Sequence, residues 1–366
     1  MTQDTEAIGT SGESIRLREP LAPPAPVKTR DSYFDNLKAV LIFLMVFGHL
    51  LEFAKGRRGN VEIYSIIYSF HMPVFVMVSG YFSKNIEKAR DNAFQNLFIP
   101  YLIFNFLFSV IMHGNLISSP FVPAFALWYL LALFVWRLLL KSVLQVRWIL
   151  LFSVLLSLFA GLIPGIGSFM ALSRIISFFP YFLAGYFFTD AMREKVKRIP
   201  LTIAVSGFVV LGGLVVYLFT IVGFPFRTFF LHYHYEHDLM GLHNTKGLLL
   251  RLFTYILTPF ISLFFIRLIP KKKLFFTSLG QHTFPVLVFH YYLVYILHNS
   301  KQFLNYSNRI NPYLFMLCCL PIAVVICLLT GNRYINMALN KFLELVGKVL
   351  FKTAKKTPEE KKAENG

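Results

Sequence analysis

Two polar side chains that are costly in lipid, Lys38 and His49, stand in one apolar run beginning at Asn36. They are eleven residues apart, which on a helix returns to within about 20° of the same face, about 16 Å further along. Ionisable groups inside a membrane helix face a protein interior or a watery cavity and point to function. Near neutral pH a free imidazole is mostly uncharged, so one ring nitrogen can take a proton from an alcohol as it attacks an acyl carbonyl. The plainer alternative for His49 is a neutral ring donating one hydrogen bond between helices. Lys38 follows Asp35 by three residues. It suits a phosphate-binding cation at a cytoplasmic donor site, oriented by Asp35. Spacing alone favours a lysine that snorkels to the membrane edge.

Further candidates lie downstream. His71 falls in Ser69-Phe70-His71-Met72-Pro73; Pro73 removes a backbone hydrogen bond, and a kink beside a buried histidine suits a cavity. His71 is the main rival to His49 as base, and His290 the third candidate, with His282 nearer the inner edge. An outer loop gathers His232, His234, His237 and His243 beside Glu236 and Asp238. No spacing there matches a familiar zinc site, and a carbohydrate-facing loop fits equally, so no metal is expected. Arg174 is either an acceptor contact or an interfacial anchor. Cys318, Cys319 and Cys327 share one late apolar run and suggest buried thiols.

The elements that must position these residues are membrane helices. Hydrophobic residues make up 56% of the 366 and charged residues 15%, where a soluble domain carries about a quarter charged. The predicted class is all-α: a polytopic bundle of about ten transmembrane helices with both termini cytoplasmic. Expected spans are 36–54, 62–82, 95–112, 124–140, 147–163, 173–189, 201–222, 248–268, 281–299 and 312–330. The net charge of +18 is concentrated in alternate connections and in the tails. That pattern sets orientation and gives no face for nucleic acid. Residues 1–33 read as a disordered cytoplasmic tail, 34–330 as the membrane domain, and 331–366 as a cytoplasmic tail with an interfacial helix or a continuation of the last span.

Asp35-x-x-Lys38 with His49, then Phe70-His71-Met72-Pro73-x-Phe75-x-x-Ser79-Gly80-Tyr81, resembles membrane acyltransferase family 3, closest to its fucose 4-O-acetylase-like branch. Ile99-Pro100-Tyr101, Leu127-Trp128-Tyr129, Phe179-Pro180-Tyr181 and Leu279-Gly280-Gln281-His282-Thr283 ending at His290 extend the likeness over about residues 30–330. The resemblance implies ten spans and transfer of an acyl group, usually acetyl from cytoplasmic acetyl-CoA, to an extracytoplasmic glycan. The family's basic residue, ten further residues and histidine in the first helix fall on Lys38 and His49. Its basic residues before Ile-Pro-Tyr do not recur: the stretch reads Gln95-Asn96-Leu97-Phe98. Lys88 and Arg90 are the expected substitutes.

The expectation is therefore a membrane O-acetyltransferase of the plasma or inner membrane. His49 serves as base or acyl relay, with His71 behind it; Lys38, Asp35, Lys88 and Arg90 face acetyl-CoA; Arg174, Trp128 and His290 face a glycan or glycolipid acceptor. Two rivals stay open: an exporter of a glycan or lipid intermediate, for which Gln95, Asn96 and Arg137 would line the path, and a non-catalytic scaffold or sensor.

Overall fold

A computed structural model describes residues 30–52, 60–113, 121–167, 169–232, 234–235 and 244–350. The expected leading tail to residue 29, the connection 53–59 and the chain end from residue 351 lie outside the described residues. The chain divides into two units, Met1–Asp31 and Ser32–Gly366; the second holds every helix considered below.

Helices account for the membrane domain, as apolar runs in lipid require. In order they are α1 (Ser32–Leu51), α2 (Asn60–Tyr81), α3 (Ile86–Asp91), α4 (Ile99–His113), α5 (Trp128–Val143), α6 (Ile149–Ala160), α7 (Leu172–Phe187) and α8 (Asp190–Arg198). There follow α9 (Leu201–Thr220), α10 (Asn244–Leu268), α11 (Thr277–Gln281), α12 (Thr283–Asn299), α13 (Lys301–Arg309), α14 (Pro312–Thr330) and α15 (Arg333–Leu350). Each of the ten expected spans overlaps a helix, with ends shifted by up to about four residues. Among the described residues, eight are long and apolar enough to cross a membrane. Three of the eight reach that length only together with the short helical turn before α4, α5 or α7 (Phe94–Met112, Phe125–Val143 and Phe169–Phe187), and α6, with 12 residues, and α12, with 17, are not among the eight.

The shortness of α6 has a visible consequence. Its rise of about 18 Å falls short of a bilayer core of about 30 Å, so its last carbonyls need donors at depth. Arg251 Nη1 donates to Ser157 O at 3.0 Å and the Tyr235 hydroxyl to Leu158 O at 2.8 Å. A cation at a helix C-terminus also meets the negative end of its dipole. Burial of Arg251 thus has a structural reason.

The core is organised by α1, α2 and α7. Gly80 and Gly185 sit where α2 and α7 cross, and a Cβ on either would run into the other helix's backbone; small residues permit this approach in lipid. Pro73 deprives Ser69 O of its helical donor, and Thr258 Oγ1 of α10 supplies one at 3.0 Å. The α1 start is fixed to the chain around α11. Asn36 Nδ2 donates to Pro270 O and Lys272 O at 2.9 and 2.8 Å, Thr277 Oγ1 donates to Asn36 Oδ1 at 2.6 Å, and Gly280 packs on the Asp35 backbone.

One end of the bundle collects the basic connections: Lys84 Nζ donates to Phe188 O, Lys141 pairs with Glu87, and Lys271 with Glu194. Following the charge bias, this is called the inner end. The trailing segment forms α15, whose Tyr334, Met337, Leu345 and Val349 are exposed apolar side chains.

Candidate active site

The site lies towards the other end of α1. His49, with 13% of its side chain exposed, precedes Glu52 by one helical turn, and its Nδ1 is 3.3 Å from Glu52 Oε1. The same oxygen accepts the hydroxyls of Tyr68 at 2.8 Å and Tyr64 at 3.2 Å. Tyr68 Oη is also 3.1 Å from His49 Nδ1. A carboxylate only accepts, and the Tyr68 proton is directed at it, so the proton between imidazole and these oxygens belongs to Nδ1. That leaves the lone pair on Nε2. Gly48 makes room: a Cβ there would stand 3.0 Å from Tyr68 Cε2.

These groups face a cavity of about 460 Å³ whose lining includes His49, Glu52, Tyr68, His71, Trp128 and Arg174. Met45, Met72, Phe178 and Leu287 supply apolar wall, and Arg227, Phe230 and His232 approach from the α9–α10 connection. Arg174 Cζ lies 5.1 Å from the Trp128 ring, a cation–π arrangement that holds the guanidinium at the cavity edge. His71 donates Nδ1–H to Ile67 O at 2.8 Å and meets Tyr68 edge to face.

The structure thus brings together His49, His71, Trp128 and Arg174. His290 is beside them, outside the cavity lining: its ring stacks on His49 with centroids 5.5 Å apart. Its Nδ1 donates to Val286 O at 2.7 Å, and its buried Nε2 has no partner among the described residues.

The expected donor residues lie elsewhere, and none lines this cavity. Lys38 is bound to buried Asp35 at 2.9 Å, and Gln281 Nε2 donates to the same carboxylate at 3.2 Å. Lys88 is exposed on α3, where Arg90 pairs with Glu87 and Asp91. The hydrogen bond from Lys141 holds the Glu87 carboxyl below its ordinary pKa. Of the outer histidine loop, His232 reaches the cavity, whereas Glu236, His237, Asp238 and His243 lie outside the described residues. No group of three His, Cys, Asp or Glu able to hold a metal occurs among the described residues.

Sequence reasoning missed Glu52, Tyr64, Tyr68 and Arg227 as site residues. Glu52 carried a signal, the His-x-x-Glu spacing that puts both groups on one helix face. Tyr68 stands three residues before His71, within reach of a similar argument; nothing local marked Tyr64 or Arg227.

Known proteins provide the remaining context. Over 196 residues, 47% of this chain and 52% of the relative, the sequence is 31% identical to nodulation protein NolL of Sinorhizobium fredii. Over 64 residues, 16% of this chain and 17% of the relative, it is 39% identical to nodulation protein NolL of Mesorhizobium japonicum. The chain thus spans about half the length of the first of these curated relatives and 17% of the second. No solved structure matches it. The family described as "Acyltransferase domain" matches residues 31–331, a stretch that holds the whole cavity and every helix from α1 to α14, and the chain belongs to that acyltransferase family.

Proposed function

We propose that the protein is a membrane O-acyltransferase that moves an acetyl group from cytoplasmic acetyl-CoA to a hydroxyl of an extracytoplasmic glycan or glycolipid, in the plasma or inner membrane. The observation that carries this reading is the His49 imidazole, fixed at Nδ1 by Glu52 and Tyr68 on the wall of a cavity. A neutral imidazole so oriented is a general base, and its carboxylate partner stabilises the imidazolium that forms.

In this mechanism an acceptor hydroxyl enters the cavity and hydrogen-bonds to His49 Nε2. His49 takes the hydroxyl proton as the oxygen attacks the acyl carbonyl. A C–O bond forms, the C–S bond breaks, and His49 returns the proton to the departing sulfur, so the enzyme ends as it began. Glu52 keeps the Nδ1 proton in place throughout, and Tyr64 and Tyr68 hold Glu52. Trp128 offers an aromatic face to a sugar ring, Arg174 and Arg227 offer donors to its polar groups, and the apolar wall of Met45, Met72 and Leu287 excludes water.

The test uses the purified full chain in lipid nanodiscs with acetyl-CoA and a panel of glycans and glycolipids, reading thiol release and mass gain of the acceptor. Wild type is expected to acetylate at least one acceptor and His49→Ala none. Equal acetylation by a well-folded His49→Ala variant would remove His49 from the mechanism.

A further inference from the structure

A polar seam runs along α5 where it faces the inner part of α2, the turn after it and α3, from the level of the cavity to the inner end. It has three rungs. Ser79 meets the Tyr129 hydroxyl, Arg137 Nε donates to Ser83 Oγ at 3.3 Å, and Lys141 Nζ donates to Glu87 at 2.7 Å. Ser79, Ser83 and Glu87 succeed one another at four-residue intervals, and Tyr129, Arg137 and Lys141 at eight and four. Tyr129, Arg137 and Lys141 all lie on α5, whereas Ser79 is on α2, Ser83 in the turn after it and Glu87 on α3, so the rungs tie α5 to successive parts of that segment. The top rung adjoins the cavity: Tyr129 follows the lining residue Trp128 and packs edge-on against Phe75. The bottom rung is exposed.

Arg137 differs from the cations around it in being half-buried without a carboxylate: among the described residues Lys84 and Lys88 also lack one, but they are exposed. Lys38 is bound to Asp35, Arg90 to Glu87 and Asp91, Lys141 to Glu87, and Arg193 to Asp190 and Glu194. Arg137 is half-buried within the bundle, and among the described residues no carboxylate lies within 4.0 Å of it. A guanidinium presents five donors in a planar fork, and a serine hydroxyl satisfies one. Removing a cation from water without an anion is costly, so such groups are normally paired. The geometry is that of a receptor for an anion arriving from the inner side. The fork matches two oxygens of a phosphate.

We propose that Arg137 binds a phosphate of the acyl donor's nucleotide end, and that this seam is the route along which the thioester arm reaches His49. This deepens the acetyl-CoA reading above and rests on it. Trp128 is nine residues from Arg137, about 13 Å of helical rise, a distance that an extended pantetheine arm covers. The Ser79 and Tyr129 hydroxyls stand along that path to meet its amides.

The experiment measures binding without turnover. The full chain is purified in maltoside micelles, which contain no phosphate, and CoA and pantetheine are titrated against wild type, Arg137→Gln and Arg137→Lys. Wild type is expected to bind CoA more tightly than pantetheine. Arg137→Gln is expected to lose about tenfold to a hundredfold in CoA affinity with pantetheine affinity unchanged, and Arg137→Lys to fall between. Should Arg137→Gln fail to purify, Arg137→Lys carries the same comparison, since it keeps the charge and loses the fork. CoA affinity equal in wild type and variants overturns the proposal, as does an equal loss for both ligands, which marks a packing role. A variant that binds CoA normally but loses a stabilisation given by added phosphatidylglycerol assigns Arg137 to a lipid headgroup, and the proposal falls. Wild type that binds no CoA overturns the donor reading itself, whatever Arg137 does.

Discussion

Glu52 Oε1 stands 3.3 Å from His49 Nδ1, three residues on and just past the end of α1, and the two tyrosines that share this oxygen come from α2. A single carboxylate thus fixes both the tautomer and the orientation of the imidazole. Replacing Glu52 with Gln keeps the shape and removes the charge that steadies the imidazolium. The expected result is a fall in kcat of about 10²- to 10⁴-fold with little change in KM or in thermal unfolding. Steady-state kinetics on the acceptor found above would check it; an unchanged kcat would exclude the dyad.

Tyr68→Phe removes one of three donors to that oxygen but leaves Tyr64 and His49 in place. A net hydrogen bond to a charged group is worth about 1.5–3 kcal/mol, so kcat should drop roughly tenfold to a hundredfold, less than for Glu52→Gln. A double variant no slower than Glu52→Gln alone would show that Tyr68 acts through Glu52.

Thr258→Val should destabilise the fold by about 1–3 kcal/mol, because Ser69 O then sits buried without a donor. Restoring the helical N–H with Pro73→Ala should recover most of that loss. Thermal unfolding of the two single variants and the double variant tests the pairing, and additive losses would refute it.

Gly185→Leu inserts a branched side chain where the α7 backbone touches Met77 of α2. The helices cannot cross with it present, and the variant should yield little folded protein. Gly213→Leu, at a position with open space around it, should fold normally and serves as the control.

Lys197, on α8 outside the spans, has its pKa pushed down to about 8, by burial first and then by Arg193 and Lys271. The unfolded chain, with an ordinary lysine, holds that proton to about pH 10.4. Between these values the unfolded state binds more protons, so stability rises with pH across that window. Wild type should therefore gain stability relative to Lys197→Met as pH increases from about 8 to about 10; denaturant unfolding at several pH values would show it, and parallel curves would contradict it.

Much of the membrane domain could be read from local composition. Ten apolar stretches were placed within a few residues of ten helices, and the misjudged cases have local causes. The stretch expected at 147–163 forms only Ile149–Ala160, because Arg251 and Tyr235, distant in sequence, supply donors that let the helix end early. The stretch expected from 281 starts at Thr283, after a separate short helix, because Asp35 packs on Gly280 there.

Within the site the division is similar. His49, His71 and Arg174 are legible because a polar group in an apolar run stands out by type alone, whereas Trp128 is marked only by the family resemblance. Glu52 was overlooked although its spacing from His49 was available, since a charged residue at a helix end reads first as a membrane-edge group.

The sequence by itself determined that the chain is a helical membrane protein, roughly where its helices run, and that Lys38 and His49 share a helix. These are properties of segments: hydropathy and helical periodicity depend on neighbours a few residues away. The tertiary structure alone decided that Tyr64 and Tyr68 close on Glu52, that the cavity ends short of Lys38, and that Arg137 meets a serine where a carboxylate would neutralise it. Those relations depend on how helices cross, which is set by close approaches such as Gly80 against Phe182 and Gly185 against Met77. Residues far apart in the chain determine such contacts jointly.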